Sequence, residues 1–291
     1  MELFTTDFFQ KVNTLKLAML MRLSAGTSGA RKSTAKGTSV EFSDFREYML
    51  GDDIRRIDWN AYGRFDKLYI KEFMEEKEGL YNIFIDTSKS MDFGEKKKSE
   101  MALKIAGALS YLVLGNLDRV YVNELKEDAI RIGKGLSGRN AWGKIAKALG
   151  EITFDGKTTL SSSILRRNIK VRGASIIISD FFDREGIEGA LKYLAYKKQQ
   201  IVLVQVFSRE EINVDYEGAL NLIDSEDGSN VKLTMNRQAV KEYEDTLEKH
   251  VSYMKGLARK YQASYVQAVS DESIEKVLFD SMIGAGLILR K

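Results

Sequence analysis

The chain has 291 residues, 44% of them apolar and 30% charged, with a net charge of +3. That is the profile of a soluble globular protein, long enough for one large domain or two modest ones, and the small net charge carries no general nucleic-acid or membrane signal. Cysteine is absent and histidine occurs once, as His250, which excludes disulfides, Cys-ligated zinc, iron–sulfur clusters and thiol catalysis and removes the commonest general base.

Along the chain, Phe8, Phe9, Val12, Leu15, Met19 and Leu23 recur at helical spacing, with Lys11, Lys16 and Arg22 between them. This predicts an amphipathic N-terminal helix that packs on the rest of the protein, with peripheral membrane association as the alternative. A Gly, Ser, Thr and Lys-rich loop follows over 24–39. Residues 41–78 are densely charged with mixed sign: Asp44, Arg46, Glu47, Asp52, Asp53, Arg55, Arg56, Asp58 and Arg64 interleave with Phe42, Phe45, Tyr48, Ile57, Trp59 and Tyr62. Arg–carboxylate pairing within the segment is the simpler expectation, a docking surface the other. Residues 68–73 alternate like a strand.

From residue 80 onward, strand-like and helix-like segments alternate. Strands are predicted at 81–85, 119–123, 129–132, 175–179, 201–207 and 264–269. Helices are predicted at 95–116, 141–152, 161–169, 186–197, 237–262 and 272–283. The pattern implies an α/β fold, a doubly wound, mostly parallel sheet with helices on both faces. The short turn before 129–132 makes it an antiparallel edge strand, and Asp227-Gly228 between 219–223 and 231–234 signals an inserted β-hairpin. The expected division is 1–79, helix plus charged segment packing on the main domain, and 80–291. No apolar stretch is long enough to cross a bilayer and no signal-peptide order is present, so a cytoplasmic location is expected.

The chemistry concentrates where the 81–85 strand ends. Asp86-Thr87-Ser88-Lys89-Ser90 puts a carboxylate and two hydroxyls at alternating positions. Hard oxygens suit Mg²⁺, with Mn²⁺ and Ca²⁺ as alternatives. In open α/β sheets ligands sit beyond the carboxyl ends of the strands. Asp180, after a second apolar run, and the loop Gly156-Lys157-Thr158-Thr159 are placed to converge on the same point. Serine and threonine hydroxyls leave the ion under-neutralised, so an acidic side chain of a partner is the natural further ligand; Asp86 and Asp180 would hold it through water. Lys89 and Lys157 would weaken its hold.

Asp86-x-Ser88-x-Ser90, Thr158 and Asp180 together resemble the metal-ion-dependent adhesion site of von Willebrand factor A domains, the likeness covering about residues 80–291 by element order. The resemblance implies that Ser88, Ser90 and Thr158 bind the metal, directly or through water, and that Asp86 and Asp180 act mostly through water. The third loop departs from the usual Gly-Gly-Thr, and Thr159 is an alternative to Thr158. Upstream, Glu41-Phe42-Ser43-Asp44-Phe45-Arg46-Glu47-Tyr48, Gly51-Asp52-Asp53-Ile54-Arg55-Arg56-Ile57-Asp58-Trp59 and Leu68-Tyr69-Ile70-Lys71-Glu72-Phe73 look like the signature of the bacterial domain-of-unknown-function family 58. That resemblance implies a non-catalytic, metal-dependent protein-interaction module working with a MoxR-type AAA+ ATPase, or with the client it assembles or activates.

Two other functions stay open. One is a metal-dependent phosphoesterase-like hydrolase using the same carboxylates; Ser88 stands where the haloacid-dehalogenase type of site needs a second aspartate. The other is a structural protein whose metal site is vestigial. No P-loop string occurs, and no nucleic-acid partner is expected. His250, in helical register with Tyr243, Leu247 and Met254, reads as a packed structural residue, and Lys96-Lys97-Lys98 as solvated charge.

Overall fold

The computed structural model describes residues 4–17, 40–75, 78–127, 129–183, 185–214, 218–223 and 230–290. The chain divides into two compact units, one of residues 1–26 and 79–291 and one of residues 27–78. The N-terminal helix thus belongs to the larger unit, a different division from one near residue 80.

Helix α1 (Thr6–Val12) opens on Thr5, whose hydroxyl accepts from Phe8 N. It ends at Val12, shorter than the periodicity predicts. Leu15–Leu17 is instead a strand, β1, antiparallel to Ile288–Arg290 near the other terminus. Pairing wins there because Leu15 is fully buried in the same core as Phe8 and Val12. Met19 and Leu23 lie outside the described residues. Phe4, Phe8, Phe9, Tyr111 and Trp142 form a ring cluster with centroids 5.0–5.4 Å apart, several edge to face, which fixes the helix on the larger unit.

The smaller unit is an antiparallel pair, β2 (Val40–Glu47) and β3 (Tyr69–Glu75), joined through a short helix α2 (Trp59–Phe65). Asp58 caps α2 by accepting from Asn60 N and Ala61 N. Arg46 grips Asp52 through two 3.0 Å bonds, and Arg55 pairs with Asp53. At these positions the charge fixes an irregular segment from within.

The remaining elements build the main sheet. In chain order they are β4 (Leu80–Asp86), α3 (Lys98–Gly115), β5 (Arg119–Lys126), β6 (Ala129–Ile132), β7 (Leu136–Ser137), α4 (Trp142–Gly150), α5 (Leu160–Leu165), β8 (Ala174–Ser179), α6 (Glu188–Tyr196) and β9 (Gln200–Phe207). They continue with α7 (Arg209–Ile212), the hairpin β10 (Gly218–Ile223) and β11 (Asn230–Met235), α8 (Arg237–Lys260), β12 (Ser264–Val269), α9 (Ile274–Lys276) and β13 (Ile288–Arg290). The sheet order is β12-β9-β8-β4-β5-β6, and β7 also pairs with β5. The pairings among β12, β9, β8, β4 and β5 are parallel; β6 and β7 run antiparallel to β5. The doubly wound sheet with its antiparallel edge is therefore as expected. The hairpin β10–β11 also forms, with its Asp227-Gly228 turn outside the described residues.

Strand alternation sorts the core into two layers. Tyr81, Ile83 and Ile85 of β4 face a cluster shared with α1, α3 and α4, while Phe84 faces one built from α5, α6 and α8. Ile176 and Ile178 against Ile177 divide the same way on β8. Helix α3 is buried on almost every side, covered by the sheet beneath and by α1 and α4. The predicted 272–283 helix is a single α-turn that widens into a π-turn at Val277–Met282. Val277, Leu278 and Met282 are all buried, a spacing that the wider turn accommodates on one face.

The chain leaves β4 for β5 on one side and returns to β8 on the other. The order of strands reverses beside β4, and the carboxyl ends of β4 and β8 flank the crevice where such sheets take ligands.

Candidate functional site

Asp86 closes β4 and is buried, with both carboxylate oxygens engaged. Oδ1 accepts from Ser88 N at 2.9 Å and Oδ2 from Ser179 Oγ at 2.6 Å. The first bond is an Asx turn that curls the loop so that Ser88 and Ser90 point together. Their hydroxyls lie 3.0 Å apart, and Ser90 Oγ donates to Asp180 Oδ2 at 2.9 Å. Asp180 follows β8 directly. Its other oxygen accepts from Phe182 N at 3.2 Å, and its backbone carbonyl accepts from Gln205 Nε2 at 2.7 Å. Phe181 takes left-handed backbone (φ 59°), turning the chain sharply behind Asp180.

The third loop joins from the β5 side. Lys89 N donates to Gly156 O at 2.7 Å, and Ser88 and Gly156 form a parallel bridge. Thr158 is buried, its hydroxyl donating to Leu125 O at 3.2 Å, a carbonyl that Thr87 Oγ1 also reaches. Thr159 donates to Glu127 O. Hydrogen bonds thus link Ser88, Ser90 and Asp180 directly, tie Asp86 to them through the Ser88 amide, and set Thr158 on the adjoining loop. Lys89 and Lys157 are exposed.

One residue of the site was misread from the sequence. Lys98 is not solvated: it is completely buried, with Nζ 2.7 Å from Asp180 Oδ2 and 2.6 Å from Glu211 Oε1. Glu211 is in turn fixed by a capping box, its Oε2 accepting from Ser208 N at 2.8 Å. The signal was present in the sequence. Lys98 lies on the stripe Lys98, Met101, Ile105, Leu109, Leu112, and Ser208-x-x-Glu211 is a capping box after a strand. The tri-lysine run hid both.

The electrostatics follow from burial. Burial pulls the Lys98 ammonium down, but Asp180 and Glu211 more than reverse it, so it stays above the ordinary lysine value. Burial pushes Glu211 up, with Lys98 opposing. Asp86 is raised by burial and by the charge of Asp180, against the bonds from Ser179 and Ser88.

His250 stacks near Phe182, ring centroids 4.8 Å apart, and with Tyr243, Thr246 and Leu247 lines a pocket of about 170 Å³. Its Nε2 is buried with no hydrogen-bond partner among the described residues. Burial lowers its pKa below the ordinary 6.5, the charge of Asp180 opposing. The unfolded chain therefore takes the proton first, and stability present above pH 6.5 is lost as pH falls below it. The melting temperature is expected to fall between about pH 7.5 and about pH 5.5, and to fall less in His250→Phe. Equal falls in both proteins would remove His250 from the account.

The donor set fits a hard cation held by hydroxyls. No group of three or more His, Cys, Asp or Glu that could hold a metal occurs among the described residues. Ser88, Ser90 and Thr158 supply neutral oxygens, with two carboxylates one hydrogen bond away or nearby. That is the chemistry of an Mg²⁺ that keeps several waters.

The fold is a doubly wound, mostly parallel α/β sheet reversing at β4, with the Asp86 loop at the reversal. Within that class, the chain belongs to the family described as protein of unknown function DUF58, which it matches over residues 44–253. It is 24% identical over 224 residues to the uncharacterized protein Rv1480 of Mycobacterium tuberculosis, covering 75% of this chain and 70% of that protein. Among solved structures it is similar to the conserved hypothetical protein BatB of Bacteroides thetaiotaomicron, at 14% identity and a TM-score of 0.42, covering 72% of this chain and 98% of BatB. It is also similar to the SpRpn10 VWA domain, at 12% identity and a TM-score of 0.42 with the same coverages. No helix among the described residues is long and apolar enough to cross a membrane.

Proposed function

We propose that the chain is a non-catalytic interaction module that binds an acidic side chain of a partner protein through Mg²⁺. Ser88, Ser90 and Thr158 would hold the ion, and Asp86 and Asp180 would anchor its waters. The ion supplies a Lewis-acidic position for a carboxylate from outside. The observation that carries this reading is the hydrogen-bonded line Ser88–Ser90–Asp180 at the switch point of the sheet. Hydrolysis has less support: both oxygens of Asp86 are already occupied by Ser88 N and Ser179, and Ser88 Oγ is paired with another serine rather than a base. From the family resemblance, the partner is a MoxR-type AAA+ ATPase or the client it remodels.

The test is the affinity for that ATPase in Mg²⁺ and in EDTA, for wild type and for Ser88→Ala with Ser90→Ala. Binding is expected for wild type in Mg²⁺ alone, weaker by about 100-fold or more in the other three cases, because the ion bridges the two proteins. Identical affinities in all four would sink the metal bridge.

A further inference from the structure

Lys98 sits where a lysine is costly. It is the first residue of the 18-residue helix α3, at the end where the helix dipole opposes a cation. It is fully buried, and the Phe93 and Phe182 rings lie 6.0 and 5.8 Å from its ammonium, shutting out water and favouring a cation. The Asp180 oxygen that receives the ammonium is the same one that receives Ser90 Oγ. Glu211, the second partner, is clamped by its capping box and fixes the far side of the ammonium.

The charge balance gives this placement a consequence. Asp86, Asp180 and Glu211, counted as carboxylates, carry −3; with Lys98 the cluster stands at −2. A divalent ion then brings it to zero, and a carboxylate from outside to −1. Without Lys98 the same ion would enter a cluster at −3. Like charges in a water-poor site repel far more strongly than in bulk water.

We propose that Lys98 is a resident counter-cation that keeps the divalent-metal affinity of the free protein low. This inference rests on the metal-binding reading of Ser88, Ser90 and Thr158. It assigns to Lys98 the weakening of the site that sequence alone attached to Lys89 and Lys157.

The test is Mn²⁺ binding, followed by the loss of the free-ion resonance signal, in wild type, Lys98→Met, Glu211→Gln and the double variant. Lys98→Met is expected to bind Mn²⁺ about tenfold tighter or more. Glu211→Gln is expected to bind several-fold more weakly, since the whole ammonium charge then bears on Asp180. The double variant, which keeps the net charge of the cluster and guards against misfolding of Lys98→Met, is expected to bind tighter than wild type. A merely structural lysine would loosen the site in every variant, so weaker or unchanged binding by both Lys98→Met and the double variant overturns the proposal. If wild type still binds Mn²⁺ in that case, and Ser88→Ala with Ser90→Ala does not, the metal site itself stands. No binding by any protein overturns both, because removing Lys98 should have unmasked the site.

Discussion

Asp180→Ala is expected to lose roughly 3–5 kcal/mol of unfolding free energy in metal-free buffer, because it strands one member of a buried ion pair. Lys98 cannot escape to water, being fully buried at the start of α3. Glu211 alone would remain, and it is already shared with the Ser208 amide. Ser90 Oγ and Phe182 N lose their acceptors in the same step. Distance does not decide the size of this effect. Lys276 and Glu272 are closer, at 2.5 Å, but Lys276 is largely in water and its pair contributes far less. Urea unfolding of both proteins in EDTA measures the difference. Lys98→Met in the Asp180→Ala background should recover part of the loss, since the stranded charge is then gone. A loss below about 1 kcal/mol would mean that Lys98 does not depend on Asp180.

The parts of this molecule legible in the sequence are those fixed by local pattern. A strand buried on both faces reads as a mainly apolar run, and 81–85, 175–179 and 201–207 do, interrupted only by Asn82, Ser175, Ser179 and Gln205, so the parallel sheet could be read from them. Asp86, Ser88 and Ser90 come together through a turn only two residues long, and Asp180 needs only the strand before it. What sequence could not give is set by tertiary contact. Glu211 meets Lys98 across 113 residues, and a lysine flanked by two others looks solvated until the partner is found. The N-terminal periodicity continued past Val12, yet pairing with Ile288–Arg290 turned Leu15–Leu17 into a strand. Thr158 lies on the adjoining loop through contacts across the chain, Gly156 bridging to Ser88 and Thr158 itself to Glu127.

The position of Asp180 also depends on a glycine at the other end of its strand. A Cβ on Gly173 would stand 2.2 Å from the carbonyl oxygen of Leu80 and 3.1 Å from its carbonyl carbon. Both atoms are backbone at the start of β4, so no side chain can swing aside. Gly173 O is meanwhile held by Gln200 N at 2.9 Å, at the start of β9. The strand start is thus gripped from both neighbours, in the register that pairs Tyr81 with Ala174. Gly173→Ala must therefore push β8 away from β4, at a cost of about 1–3 kcal/mol. The same substitution at Gly256, in the interior of α8 with open space around it, is expected to stabilise by about 0.5–1 kcal/mol. Opposite shifts of the urea midpoint separate the steric effect from the general effect of replacing glycine. Because β8 carries Asp180, Gly173→Ala should also weaken Mn²⁺ uptake while Gly256→Ala leaves it unchanged. A destabilised Gly173→Ala protein with wild-type Mn²⁺ affinity would show that the β4–β8 spacing does not set the site.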